Sequence, residues 1–302
     1  MAQPVALNLT AVVAAVTDEE PRILTVPAGG DVPYPGIPSG PLSDEDATLE
    51  QALRHWILDQ AGIEVGYVEQ LYTFGDRDRG TTGGARNVAV AYLALVHEAT
   101  AADEARWLDW YGLLPWENRR TGTPTVLADV ILPALDEWAA DDAERTQRVR
   151  TEFGDRRAGF DGIRVLERYE LLYEAGLVAE AFHDRGDAPP PDLPRSTTMQ
   201  GDHRRIVATA LGRLRGKLTY RPVVFELLPD EFTLLELQTT VEALAGVRLH
   251  KQNFRRLVER NRLVEGTGRR AESTGGRPAE LFRFRPEVTL ERPRPGFGVP
   301  YR

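Results

Sequence analysis

Two apolar runs dominate the first hundred positions. Val5 to Val16 (VALNLTAVVAAV) and Asn87 to Val96 (NVAVAYLALV) are close to continuous in hydrophobic residues and predict strands. Arg22 to Val26 (RILTV) predicts a hairpin partner for the first run, after a turn at Asp18 to Pro21. A glycine- and proline-rich loop, GGDVPYPGIPSGPLS, separates it from a helix whose apolar residues Leu49, Ala52, Leu53, Trp56 and Ile57 recur at three and four. Thr48 with Gln51, or Ser43 with Asp46, supplies a capping box for that helix, and Gly62 stops it. Val65 to Phe74 (VGYVEQLYTF) predicts another strand, followed by the polar loop GDRDRGTTGGARN, and Leu127 to Ala139 predicts a closing helix. Strands covered by two helices make a mixed α/β layer structure.

Helical periodicity then takes over. Ile163, Leu166, Tyr169, Leu172 and Tyr173 share a face, Gly176 ends it, and a Pro-rich joint follows from Ala188 to Pro194. His203 to Arg215 places Ile206, Val207, Ala210, Leu211 and Leu214 together. Thr233 as N-cap, Glu236 three residues later and Gly246 as stop bracket a helix with Leu237, Val241 and Leu244 inward. A short turn leads to KQNFRRLVERNRL, and two helices so joined predict a helix-turn-helix. At about 100° per residue, Leu257 and Val258 flank Phe254, whereas Gln252, Arg255, Arg256 and Arg260 point away from it. LVEGTG and AELFRFR, either side of a basic glycine-rich loop, predict the two strands of a wing.

Composition narrows the function. The 302 residues are 42% hydrophobic and 27% charged, enough for a substantial core in two domains. With no Cys, disulfides, thiolate metal sites and cysteine nucleophiles are excluded, and five scattered His show no metal-ligand spacing. The chain has no apolar run of membrane-spanning length and no basic-flanked signal segment, so the expected location is the cytoplasm. The net charge of −9 conceals an asymmetry. Asp202 to Arg285 holds 17 Lys and Arg against 10 Asp and Glu, a net of +7, and the remainder nets −16. A basic module on an acidic chain suits a double-stranded DNA partner.

The segment IPSGPLSDEDATLEQALRHWILDQAGI resembles the Nudix superfamily, whose loop–helix–loop carries metal-holding carboxylates. Aligned on Gly62 and Ile63, His55 and Trp56 stand where Arg and Glu are expected, and Asp59 and Gln60 where a Glu pair is expected. Aligned on Gly40, Asp46 and Arg54 fit, yet His55 replaces the next Glu. Neither register rebuilds a metal cage, because imidazole and amide lack a carboxylate's charge. No catalytic residue, metal or required cofactor is therefore expected. Asp44, Glu45, Asp46, Glu50 and Asp59 keep a metal-dependent Nudix hydrolase as the alternative.

YVEQLYTFGDRDR, AVAYLAL and PWE, with LLPDEFTLLELQTTVEALAGVRLHKQNFRRLVERNRLVEGTG and GGRPAELFRFR, together resemble the Nudix-related transcriptional regulators of NAD metabolism. The resemblance implies an α+β Nudix-like mixed-sheet sandwich over residues 1–140 and a winged-helix DNA-binding domain over 201–288, and the helical periodicity between them makes 141–200 a helical spacer, with a tail over 289–302. It implies ADP-ribose or a related nucleotide as effector, with Asp76, Arg77, Asp78, Arg79, Arg86, Trp116 and Glu117 as its contacts. Lys251, Gln252, Asn253, Arg255, Arg256, Arg260 and Arg277 become the DNA contacts of a homodimeric repressor. A winged helix serving as a protein scaffold is the remaining alternative.

Overall fold

The N-terminal apolar run forms β1 (Val5–Thr17), which turns through Asp18 and Glu19 into antiparallel β2 (Glu20–Thr25). The computed structural model describes residues 5–28, 33–75, 81–82, 85–102, 104–154, 160–271, 278–291 and 296–298. β3 (Ser39–Pro41) precedes α1 (Leu49–Ala61), and β4 (Tyr67–Phe74), β5 (Thr81–Thr82), β6 (Ala85–Leu95) and β7 (Arg106–Asp109) complete a seven-stranded sheet among these residues. Its main path runs β4-β6-β1-β2-β7, with β3 on β1 and β5 on β6. Only β1 and β6 run parallel, from Val5 opposite Arg86 to Ala14 opposite Leu95, so the sheet is mixed among the described strands. The segment holding β3 reads as loop in the sequence because three Pro/Gly-rich residues carry no periodicity.

Alternation along β1 and β6 divides the core into two layers. Leu9, Ala11 and Val13 of β1 and Val90, Tyr92 and Ala94 of β6 meet Ala52, Leu53, Ile57 and Ala61 of α1. At α1 the Thr48 hydroxyl accepts from Gln51 N, half of the expected capping box, and Gly62 N donates to Leu58 O. Ser43 and Asp46 form a turn upstream of it instead. Val12, Ala14, Ala91, Leu93 and Leu95 face the other way, towards α2 (Trp110–Leu113) and the helix closed by α3 (Leu132–Ala139). α3 opens through a π turn at Leu127–Ile131, where Leu132 N reaches Leu127 O immediately before Pro133, which has no N–H to continue the ladder.

The same layer runs on without a break. α4 (Ala143–Phe153), α5 (Val165–Glu174), the short α6 (Glu180–His183) and α7 (His203–Leu218) lead to α8 (Leu234–Ala245), α9 (Lys251–Asn261), the wing strands β8 (Val264–Arg270) and β9 (Glu280–Phe284), and α10 (Val288–Glu291). α7 touches β4, and α8 touches β1 and β2. Buried apolar residues from Val12 to Phe297 form one cluster, which crosses the boundaries expected near 140 and 200. None of the helices among the described residues is long and apolar enough to cross a membrane.

One close approach fixes α1 against the sheet edge. A Cβ at Gly40 would fall inside the indole of Trp56, which also donates from Nε1 to Pro41 O at 3.0 Å. Gly40→Ala must expel that ring, at a cost of roughly 1–3 kcal/mol for overpacking. The expected readouts are a lower thermal midpoint and a red-shifted tryptophan emission; an unchanged melt excludes this packing.

Candidate effector cavity and nucleic-acid interface

Along α1, the residues standing in for Nudix carboxylates have acquired other partners. Gln60 accepts from Ser39 N at 3.0 Å and donates to Ser39 O at 2.7 Å, so with Trp56 it latches the helix to β3. Arg54 pairs with Glu50 at 2.8 Å and donates to the Val65 and Gly66 carbonyls. Asp46 accepts from Ser43 N, while His55 and Asp59 are exposed. Among the described residues no three His, Asp or Glu side chains are grouped to hold a metal.

A cavity of about 760 Å³ opens at the other face of the sheet. Asn8, Thr10, Asn87 and Ala89 form its floor with Ser39 and Gly40 at the side, and Asn8 Nδ2 donates to Asn87 Oδ1 at 2.5 Å. Its roof comes from segments that carry no motif in the sequence: Tyr169, Glu170 and Tyr173 of α5, Glu180 of α6 with Asp184 at its end, and Gln200 to His203 with Arg205 at the start of α7. Tyr173 donates to Asp184 at 2.7 Å, and burial together with that carboxylate pushes its phenol up to about 12. Arg205 pairs with Glu170, buried Glu180 pairs with Arg204, and His203 Nδ1 accepts from Ile37 N at 3.1 Å. Four carboxylates (Glu170, Glu180, Asp184 and Asp202) against Arg205 and His203 make the described wall rich in acceptors. It is suited to hydroxyl, amide and amino groups.

The expected ligand contacts are distributed unevenly around this cavity. Asp76, Arg77, Asp78 and Arg79 lie outside the described residues. Arg86 immediately precedes the floor residue Asn87 in β6, and its side chain lies outside the description. Trp116 and Glu117 are both fully buried and line no part of the cavity. Glu117 instead meets two arginines: Arg168 donates from Nε at 2.6 Å and from a terminal nitrogen at 2.9 Å, and Arg215 donates at 2.5 Å. Burial alone would raise the carboxyl's pKa; Arg168 and Arg215 outweigh it and hold it below its ordinary value. Nearby, burial drives the Arg119 guanidinium down to about 10, which Glu117 opposes and Arg168 and Arg215 reinforce. A PWE tripeptide gives no hint of this pairing, because its partners sit 51 and 98 positions away.

The C-terminal part shows the predicted helix-turn-helix in detail. Thr233 accepts from Glu236 N at 3.1 Å and Glu236 accepts from Thr233 N at 2.6 Å, a complete capping box. Glu242 shapes the turn by accepting from Gln238 at 2.8 Å, Leu249 N at 2.9 Å and Arg248 at 2.7 Å. On α9, Phe254 and Val258 are buried and Leu257 is half-buried, while Lys251, Gln252, Asn253, Arg255, Arg256 and Arg260 are exposed. Phe232 bridges to Phe282, joining the helix entry to the wing, whose residue Arg277 lies outside the described residues. An exposed basic helix beside a two-stranded wing can enter a major groove and hold flanking phosphates.

Residues 224–284 match the family model of the NrtR DNA-binding winged helix domain. A curated relative, the ADPR responsive transcriptional repressor NtrR of Acinetobacter baylyi, is 39% identical over 83 residues. That match covers 28% of this chain and 33% of the relative's length. The NrtR of Shewanella oneidensis, in complex with a 27mer DNA, superposes with a TM-score of 0.59 at 20% identity, covering 94% of this chain and 95% of that one. A MutT/nudix family protein from Enterococcus faecalis superposes at 0.57 and 14% identity, over 94% and 88% of the two chains. The fold is thus a Nudix-like mixed α/β sandwich carrying a C-terminal winged helix.

Proposed function

We propose that this chain, whose residues 224–284 form an NrtR-type winged helix, is a DNA-binding transcriptional regulator controlled by ADP-ribose or a related nucleotide. The observation that carries the reading is the open face of α9: Lys251, Gln252, Asn253, Arg255 and Arg256 project outward while Phe254 and Val258 close the inner side. A scaffold role leaves unexplained why the exposed face is arginine-rich in the position a recognition helix presents to bases. The relative's responsiveness to ADPR supports the effector. In this reading the ribose hydroxyls and amino groups meet the acceptor-rich cavity wall. The pyrophosphate falls to Arg86 and the charged loop containing Asp76, Arg77, Asp78 and Arg79, because charge-assisted bonds to phosphate are the strong ones. Trp116 and Glu117 are reassigned from ligand contact to the buried interface.

The hydrolase alternative meets a specific obstacle, since Trp56 and Gln60 serve as latches to β3 where a Nudix enzyme presents carboxylates. Recognition by two winged helices on symmetric half-sites makes a homodimer the working assembly. The test is calorimetry with ADP-ribose plus product analysis in Mg²⁺ or Mn²⁺, with light scattering on the DNA complex. Binding without turnover over minutes, weakened by Arg86→Ala, is the expected result. Prompt release of AMP and ribose 5-phosphate would overturn the regulator reading in favour of the enzyme.

A further inference from the structure

α7 reaches from the cavity to the helix-turn-helix. Its 16 residues span about 24 Å at the usual helical rise. At its first turn His203 and Arg205 line the cavity. Near its last turn Arg215 is fully buried, and its bonds reach several separate parts of the chain, among them the Tyr111 hydroxyl at 3.4 Å. It donates to the Glu117 side chain at 2.5 Å and main-chain carbonyl at 3.0 Å, to Gly162 O at 3.0 Å, and to Leu244 O of α8 at 3.1 Å.

The last bond has company. Tyr111, from α2 under the sheet, donates to Ala243 O at 2.6 Å, and Arg119 N donates to Gly246 O at 2.8 Å. The final carbonyls of a helix have no partner within it and ordinarily turn to water or to a local cap. At the end of α8 they are held by Tyr111, Arg119 and Arg215. The fit leaves no slack: Gly246 has φ 71°, and a Cβ there would stand 2.6 Å from Glu117 O and 2.8 Å from the Tyr111 hydroxyl. Five residues later α9 begins at Lys251, so the position of this carbonyl end sets the direction of the recognition helix. The second cavity helix joins the same centre. In α5, Tyr169 lines the cavity and its neighbour Arg168 clasps Glu117 with two bonds.

We propose that Arg215 is a positioning residue for DNA recognition, and that the Glu117–Arg168–Arg215 cluster with Tyr111 transmits the state of the cavity to the α8–α9 turn. A buried ion cluster that only filled space could be replaced by apolar groups at little cost. This one differs because its donors terminate on the helix that aims α9. The inference rests on the proposed reading that the cavity takes the effector and α9 reads DNA. Coupling of this kind is a free energy shared by two sites and is measurable at either.

The test uses the full chain and begins without nucleotide or DNA. Glu170→Gln, which breaks the cavity pair with Arg205, stands in for a change of cavity state, and hydrogen–deuterium exchange is followed at residues 244–250. Arg205→Gln is the second probe of the same wall if Glu170→Gln lowers the melting point. Tyr111→Phe removes the bond to Ala243 and the 3.4 Å bond that the same hydroxyl accepts from Arg215, and keeps the pairs of Glu117 with Arg168 and Arg215. The expected result is a change of severalfold in exchange at 244–250 in the parent background and less than twofold in Tyr111→Phe. Perturbed amides in α5 and α7 with unchanged ones at 244–250, or equal effects in both backgrounds, overturn the proposal. In a second arm, the ratio of operator affinities with and without ADP-ribose should fall to within twofold of one in Tyr111→Phe, at unchanged calorimetric affinity for ADP-ribose. A retained ratio overturns the proposal as well. If the parent binds neither ADP-ribose nor DNA, the functional reading fails while the exchange arm still decides the coupling.

Discussion

Glu117→Gln is expected to cost roughly 3–5 kcal/mol of stability, the range for breaking a buried ion pair by removing one partner. Glutamine matches the shape of glutamate and removes its charge, which takes from Arg168 and Arg215, both fully buried, the carboxylate they share. Replacing Arg168 and Arg215 by Met together with Glu117→Leu should recover only part of the loss, because the desolvation penalty goes with the charges while the Gly162, Leu244, Glu152 and Asp161 carbonyls lose their arginine donors. Urea unfolding followed by circular dichroism measures both; a single-variant cost below about 1 kcal/mol, the level of an exposed pair, contradicts the buried geometry. The pH dependence follows from the depressed pKa. A carboxyl held below its ordinary 4.5 in the folded state adds stability that is fully present above that value and is lost as pH falls through the folded one. Glu117 therefore contributes no slope between about pH 6 and 7, and below about 4.5 the parent loses stability that Glu117→Gln never had.

That cluster also marks where sequence reasoning reached its limit. β1 and β6 are legible as apolar runs because helices cover both faces of the sheet, and burial of both faces removes the polar alternation. α1 and α8 are legible at their ends, since Thr48, Gly62, Thr233 and Gly246 each satisfy a terminal backbone group by a local rule. Local rules fail for Arg168, Arg204 and Arg215. Charged positions on an amphipathic helix are assigned to solvent by pattern, and all three are buried. Their partners Glu117 and Glu180 come from other segments, so only the tertiary arrangement identifies them. The cavity was hidden for the same reason: its floor comes from β1, β3 and β6, and its roof from residues 169–205. The inward face of α9 is the opposite case, where a helical projection of one segment sufficed to separate Phe254 and Val258 from Arg255 and Arg256.

Removing Arg255 or Arg256 should weaken operator binding by about 1–3 kcal/mol if the side chain makes a bidentate base contact, roughly 5- to 150-fold in affinity. Both are exposed and have no ion pair among the described residues, so neither truncation costs the fold a buried partner. The wing arginines behave differently. Arg283 pairs with Glu265 at 2.6 Å and Arg269 pairs with Glu231, so a DNA phosphate would have to compete with a carboxylate already in place. Arg283→Ala is accordingly expected to matter less than Arg255→Ala or Arg256→Ala. Residues 246–285 carry 11 Lys and Arg against 4 Asp and Glu, a local +7 that drives binding despite a whole-chain charge of −9. Fluorescence anisotropy on operator and scrambled duplexes across a salt series separates the roles. A base-reading arginine loses discrimination at one operator position, whereas a phosphate-binding one weakens all sequences and lowers the salt slope by about one. With folding confirmed by circular dichroism, a double variant of Arg255 and Arg256 that keeps the parent's affinity and salt slope on both duplexes removes α9 from the interface. Specific binding retained by that double variant would then place recognition elsewhere on the chain, although residues 1–201, with 17 Lys and Arg against 34 Asp and Glu, oppose it with a net charge of −17.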